Sequence, residues 1–428
     1  MQQPGPKARF ALYLGFFGLA ISFSSAQFVV DKSFEYNVAR SEAVQVFVLQ
    51  QVAAFFTAFL LSAFVPSAGH KRVLLFVLAL LCIAGGLMPL KGEWLNQMGV
   101  NFLLPEIFYF ITGIGFGLVK VIVYSYAYFL SPNEHLHASM LNRLEAWYML
   151  GSLAGLLLFG GLSLNPSINL EVHYVFGPVL LATLGIAYMV YRAPLAEVPH
   201  ADDLRAEYGQ AYPLAGMVEV LKLLPYTLVA LFVLGLFLVT ATESYFFHWL
   251  PVYLRGVAQL SELMQAEFLV IALGMVALGR FIMSYLVLVA QPHYWVLVCI
   301  GATLGLLALL TSTAHGMPTG QLVEHWADLP DQLFFFLILL AVAAPIAPTL
   351  VATALWHTPA PKRAVMMGLV VMTNIGGLVV GTALASYFLG EFGPLVALSF
   401  AALPLTLVLT IALLLLADIR RGKATAAS

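Results

Sequence analysis

The sequence predicts an all-α membrane protein of twelve transmembrane helices in two six-helix pseudo-repeats, and three observations lead there. Of 428 residues, 61% are hydrophobic and 9% charged, where a soluble domain carries about a quarter charged. Mean hydropathy is +0.94. The apolar residues collect into twelve runs, most near the ~20 residues that cross a hydrocarbon core of ~30 Å. These runs are continuous and do not alternate, which excludes a membrane β-barrel. Backbone polar groups in lipid must then be satisfied within helices.

The predicted spans are 10–30, 44–64, 73–90, 103–130, 144–163 and 173–192, then 225–252, 265–290, 293–311, 333–356, 364–389 and 394–417. Lys7 and Arg9 precede the first, and no small-residue cleavage site follows, so it reads as a retained helix. Gly113, Gly115 and Gly117 give the fourth a surface for close helix approach. Pro345 and Pro348 loosen the backbone of the tenth. With the N-terminus inside, thirteen of the nineteen Lys and Arg fall on the cytoplasmic side, and only Lys32, Arg40, Lys91 and Arg255 fall opposite. That bias places both termini in the cytoplasm and requires an even number of crossings. The expected location is a bacterial inner membrane or an internal membrane derived from it.

Other chemistries find little support. Cys82 and Cys299 both lie in apolar spans, which excludes a disulfide framework, and no Cys/His spacing resembles a zinc site. No phosphate-binding glycine loop or nucleophile elbow stands in a fitting context, so neither ATP-driven pumping nor enzymatic activity is expected. No cofactor and no nucleic-acid partner is expected. The expected partners are a small-molecule substrate, a proton and the lipid bilayer, with the chain a monomer or weak oligomer.

The longest charged, proline-bearing connection, 193–224, divides the chain into an N-terminal bundle, 1–192, and a C-terminal bundle with a short tail, 225–428. Ser131-Pro132 precedes the fifth span and Thr358-Pro359 the eleventh. Gly151-x-x-x-Gly155 is matched at nearly the same separation by Gly377-x-x-x-Gly381. Internal repeats of this kind are usual in secondary transporters.

On these features the chain resembles the major facilitator superfamily. Gly69-His70-Lys71-Arg72 followed by Leu74 looks like the end of that family's loop between helices two and three, with Pro66 and Ser67 at its Asp-Arg positions. Gly279-Arg280 looks like the Gly-Arg common in the eighth helix. Two segments resemble the fucose–proton symporter branch: Glu243-x5-Trp249-Leu250-Pro251-x-Tyr253-Leu254, and Leu141-Asn142 followed by Gly151 and Gly155. That branch places an acid deep in helix one or four; here helix four carries Lys120, and Asp31 stands at the outer end of helix one. The resemblance implies that helices one, four, seven and ten line a central cavity.

An ionisable side chain at membrane depth is costly and therefore a functional hypothesis. Three stand out: Lys120, Glu243 and Arg280. Glu243 is the candidate for proton coupling, with a structural ion pair as the alternative. Lys120, with Tyr124 one turn on along the same face, is placed to receive an anionic group, or else snorkels to water. Arg280 reads as a gate residue together with Arg72, Arg143, Glu145 and Arg363. Ser24, Gln27, Gln50, Thr349, Trp356 and Asn374 are candidates for orienting contacts, although such side chains also hold helices together. The expectation is a secondary active transporter moving a small polar or anionic solute by alternating access, coupled to protons. One rival is export, or carriage of a metal ion or metal–chelate complex; Met366, Met367 and Met372 offer soft ligands there, but thioethers without nearby Cys or His are a poor metal signature. Another is a membrane sensor or assembly partner that moves nothing.

Overall fold

The computed structural model describes residues 6–25, 38, 43, 45–88, 102–164, 172–195, 218, 222, 227–313, 322–358 and 363–427. Regular structure among them is helical, and an isolated β-bridge pairs Leu260 with Val323. The long helices are α1 (Pro6–Ser24), α2 (Gln45–Leu60), α3 (His70–Leu87), α4 (Leu103–Phe129), α5 (Glu134–Leu164) and α6 (Val172–Arg192). They continue with α7 (Thr227–Gly256), α8 (Glu262–Leu286), α9 (Pro292–Thr313), α10a (Asp331–Ala343), α10b (Ile346–His357), α11 (Arg363–Phe400) and α12 (Ala402–Ala427). Seven stretches of the described residues are long and apolar enough to cross a membrane.

The chain groups into two compact units. The first holds Met1–Leu130, Trp147–Val218 and Pro359–Met372; the second holds Ser131–Ala146, Glu219–Thr358 and Thr373–Ser428. Each sequence half therefore contributes the beginning of one helix to the unit built mainly by the other: the start of α5 belongs with the second unit, and the start of α11 with the first.

Glycines set the closest packing. In the first unit, a Cβ on Gly113 or Gly117 would collide with the carbonyl oxygens of Gln50 and Ala54, so α4 lies directly on α2. Gly151 meets Phe17 and Ala20 of α1 in the same way. The second unit repeats this contact, with Gly377 against Phe237 and Thr240 of α7, and Gly381 against Ala241. Small residues spaced by a turn allow such approach. Gly69 (φ 90°) and Gly393 (φ 74°) occupy left-handed backbone, where a side chain is strained. Gly393 breaks α11 just before Pro394, within the interval where the sequence predicts the eleventh span to end.

Two departures from the predicted spans have physical causes. α5 begins at Glu134, ten residues before the apolar run at 144. Its first turn is capped by Asn133, whose Oδ1 accepts from the Leu136 amide at 2.8 Å. The polar residues that follow pack on protein, and a hydropathy criterion misses them. The tenth span is two helices, interrupted at Ala344 and Pro345.

Candidate functional site

The break in the tenth span creates the site in the second unit. In an unbroken α-helix the carbonyls of Ala341 and Ala344 would accept from the amides of residues 345 and 348. Both of those residues are prolines and have no N–H to give. α8 answers with Gly279-Arg280. Gly279 lies so close to the Ala341 carbonyl that a Cβ would collide with it. Arg280 Nε donates to the Ala344 carbonyl at 3.1 Å. A proline pair thus frees a carbonyl for Arg280, and Gly279, more than sixty residues away in the chain, lets α8 come close enough to reach it.

With Nε committed, the rest of the guanidinium points at two acids. Arg280 Nη2 lies 2.5 Å from Glu243 Oε1 on α7. Nη1 lies 3.3 Å from Glu145 Oε2 on α5 and 3.4 Å from the Glu145 carbonyl oxygen. The arginine side chain is 3% exposed, that of Glu145 6% and that of Glu243 17%. A planar fork with five donors is suited to serve three elements at once, which a point-like ammonium is not. Glu243 is the wetter of the two acids, and Glu145 is buried at the docked end of α5.

That end of α5 is fixed by further contacts. Asn142 Nδ2 donates to Thr349 Oγ1 at 3.0 Å, bringing together α5 and α10b. Asn142 Oδ1 is buried without a hydrogen-bond partner among the described residues. Arg143 Nε donates to Ser284 Oγ at 3.3 Å, and its guanidinium lies 4.9 Å from the Tyr285 ring centre. The His135 ring nitrogen Nδ1 is 2.7 Å from the Val287 carbonyl oxygen, and the His137 ring stands 6.2 Å from that of Trp356.

The first unit holds the other buried cation of interest. Lys120 is 8% exposed, with Nζ 5.4 Å from the centre of Phe116 and 5.6 Å from that of Tyr124, one turn to either side on α4. Phe116 packs in turn on Phe23 and Tyr148. Nearby, Gln50 Nε2 donates to Thr112 Oγ1 at 2.9 Å. Ser24 turns its hydroxyl back to the Ala20 carbonyl at 2.8 Å. The Arg363 guanidinium lies 3.7 Å from the Tyr128 ring centre, and Ser125 Oγ is 2.9 Å from Met367 Sδ. Gly368 fits against Ser62 and Ala58.

Of the residues singled out from the sequence, Glu145, Glu243 and Arg280 come together, and Arg143 and Thr349 border them. Lys120 and Tyr124 lie together in the first unit. Arg72 is exposed at the start of α3, while its neighbour Lys71 donates to the Ala193 carbonyl at 2.8 Å. Asn374 is buried in α11, its Oδ1 without a hydrogen-bond partner among the described residues. Gln27 lies outside the described residues. Sequence reasoning missed Asn142, Ser284 and the Ala344 carbonyl as members of the network. The carbonyl was readable from the two prolines.

Comparison with known proteins agrees with this architecture. A profile of the Major Facilitator Superfamily matches residues 8–323. Among solved structures, the Escherichia coli fucose:proton symporter FucP is similar with a TM-score of 0.71 and 16% identity, covering 96% of this chain and 98% of that one. The human organic anion transporter MFSD10 (TETRAN) gives 0.67 at 15% identity, covering 95% and 100%. The proton:xylose symporter XylE gives 0.67 at 14% identity, covering 94% of each chain. No curated protein sequence matches significantly.

Proposed function

Since the chain belongs to the Major Facilitator Superfamily and is a transporter, not an enzyme, we propose that it couples proton movement to the passage of a small polar or anionic solute. In this reading twelve crossings form two six-helix pseudo-repeats, 1–192 and 225–428, joined by the cytoplasmic loop 193–224. Both termini lie on the cytoplasmic side of a bacterial inner membrane or of an internal membrane derived from it. The solute site is reached alternately from each side.

One observation carries the proton reading: a carboxylate well within a membrane-spanning helix, Glu243, lies against a guanidinium that a second carboxylate shares. The two acids share one cation, so a proton on Glu243 changes the share of Arg280 that Glu145 receives. Glu145 belongs to the docked start of α5, and proton occupancy is thereby felt by a helix end. Arg143, Glu145 and Arg280 at the start of α5 and on α8, Arg363 at the start of α11 and Arg72 at the start of α3 act as gate residues. Lys120, flanked by Tyr124, receives the solute's anionic group; Ser24, Gln27, Gln50, Thr349, Trp356 and Asn374 orient the solute. Two of the similar structures are described as proton symporters and one as an organic anion transporter, which supports both parts of the reading.

The test begins with a thermal-shift screen of sugars, carboxylates, amino acids and nucleosides to identify a transported solute. In proteoliposomes with an imposed pH gradient, Glu243→Gln is expected to abolish accumulation of that solute while exchange persists. Accumulation equal to that of the parent would remove Glu243 from the coupling role.

A further inference from the structure

Over the same few turns, α11 carries two kinds of exposed surface. Val380, Leu384 and Tyr387, 37%, 43% and 59% exposed, share one side of the helix and suit acyl chains. Thr382 and Ser386 are also exposed, but they lie away from that side, on the stripe next to α7. There they meet Ser244 and His248, which are likewise one turn apart. Ser244 Oγ lies 2.8 Å from Thr382 Oγ1, and Ser386 Oγ lies 2.9 Å from His248 Nε2. Close docking of Gly381 on Ala241 brings the two helices near enough for these pairs to form.

The hydrogens can be assigned. Ser244 donates to the Leu378 carbonyl at 2.8 Å, and Ser386 to the Thr382 carbonyl at 3.0 Å. A hydroxyl has one proton to give, so Ser244 accepts from Thr382, and Ser386 accepts from an Nε2–H of His248. Each of the two serine oxygens keeps a lone pair that a water can use. A half-buried imidazole and the exposed hydroxyls of Thr382 and Ser386 inside a membrane span are costly against acyl chains and are at home beside water. Their depth is also informative. His248 is eight residues from the end of α7 at Gly256, or roughly 12 Å, and Glu243 thirteen residues, or roughly 20 Å. The polar seam therefore occupies the stretch between the Gly256 end of the helix and Glu243.

We infer that Ser244, His248, Thr382 and Ser386 line a water-filled approach along α7 and α11 through which protons reach Glu243 from the outer side. The inference rests on reading Glu243 as the proton-binding group. The step is a simple transfer: a hydronium ion in the approach gives its proton to the Glu243 carboxylate and becomes water.

The seam is tested in a Cys82→Ser, Cys299→Ser background, with the protein in nanodiscs so that both faces are open to reagent. Thiolates form only in water, so Thr382→Cys and Ser386→Cys are expected to react with a charged methanethiosulfonate at least tenfold faster than Val380→Cys and Leu384→Cys. Equal, slow rates at all four positions would overturn the inference while leaving the role of Glu243 untouched. A second measurement follows the infrared carboxyl band of Glu243, identified by its loss in Glu243→Gln, after a pH jump. Reagent attached at Thr382→Cys is expected to slow this band several-fold, and an unchanged rate would overturn proton delivery by this route. Fast labelling with no Glu243 band at any pH would overturn it instead through Glu243 itself.

Discussion

Lys120 and Arg280 are both buried cations on helices that span the membrane, yet their surroundings have different origins. The Lys120 ammonium lies near aromatic rings of its own helix, one turn before and one turn after. Arg280 is held by groups from α5, α7 and the break in the tenth span. The two rings beside Lys120 belong to α4 itself, which would supply them wherever that helix packs. The Arg280 environment exists only while three other elements hold their positions. A point charge among rings suits a cation that exchanges partners, whereas a divided guanidinium suits one that reports on the arrangement of helices.

The largest effect is expected at the second site. Arg280→Ala leaves one buried and one half-buried carboxylate and an orphaned carbonyl, a loss on the order of 3–5 kcal/mol, read as a much lower melting temperature and no transport. Arg280→Lys keeps the charge without the fork and should recover only part of that stability. Gly279→Ala places a methyl against the Ala341 backbone and should cost about 1–3 kcal/mol in the same assay. At the first site the effects should move from stability to solute affinity. Lys120→Ala should raise the KM for an anionic solute with little change in melting temperature; unchanged uptake would restore the snorkelling alternative. Phe116→Leu or Tyr124→Leu removes one ring interaction of about 0.5–2 kcal/mol and should shift KM less. Arg72→Ala, at an exposed position, should alter stability by no more than about 0.5 kcal/mol.

The same contrast explains what the sequence revealed. Helices were legible because apolar runs of membrane length have few other uses, and α4 matches its predicted span within a residue. Lys120 with its aromatic neighbours was also legible, since residues four apart on a helix share a face. The polar beginning of α5 was not, because its side chains dock on α8 and α10b, and hydropathy registers lipid contact alone. Glu243 and Arg280 could each be singled out as costly at membrane depth, but their pairing depends on how α7 and α8 pack, which spacing along the chain does not encode. Pro345 and Pro348 were read as a loosened helix. Counting the amides they lack would have identified two carbonyls in need of a partner. Ser244 follows Thr242-Glu243 while His248, Thr382 and Ser386 stand singly among apolar residues, and only the docking of α11 on α7 makes the four a set.

The central claim is that Glu145 and Glu243 act on each other through one guanidinium, and a double-mutant cycle tests it most directly. Melting temperatures of Glu145→Gln, Glu243→Gln and the double variant should reveal a non-additive term of about 0.5–3 kcal/mol that disappears when the cycle is repeated with Arg280→Gln. Additive losses in the presence of Arg280 would contradict the account.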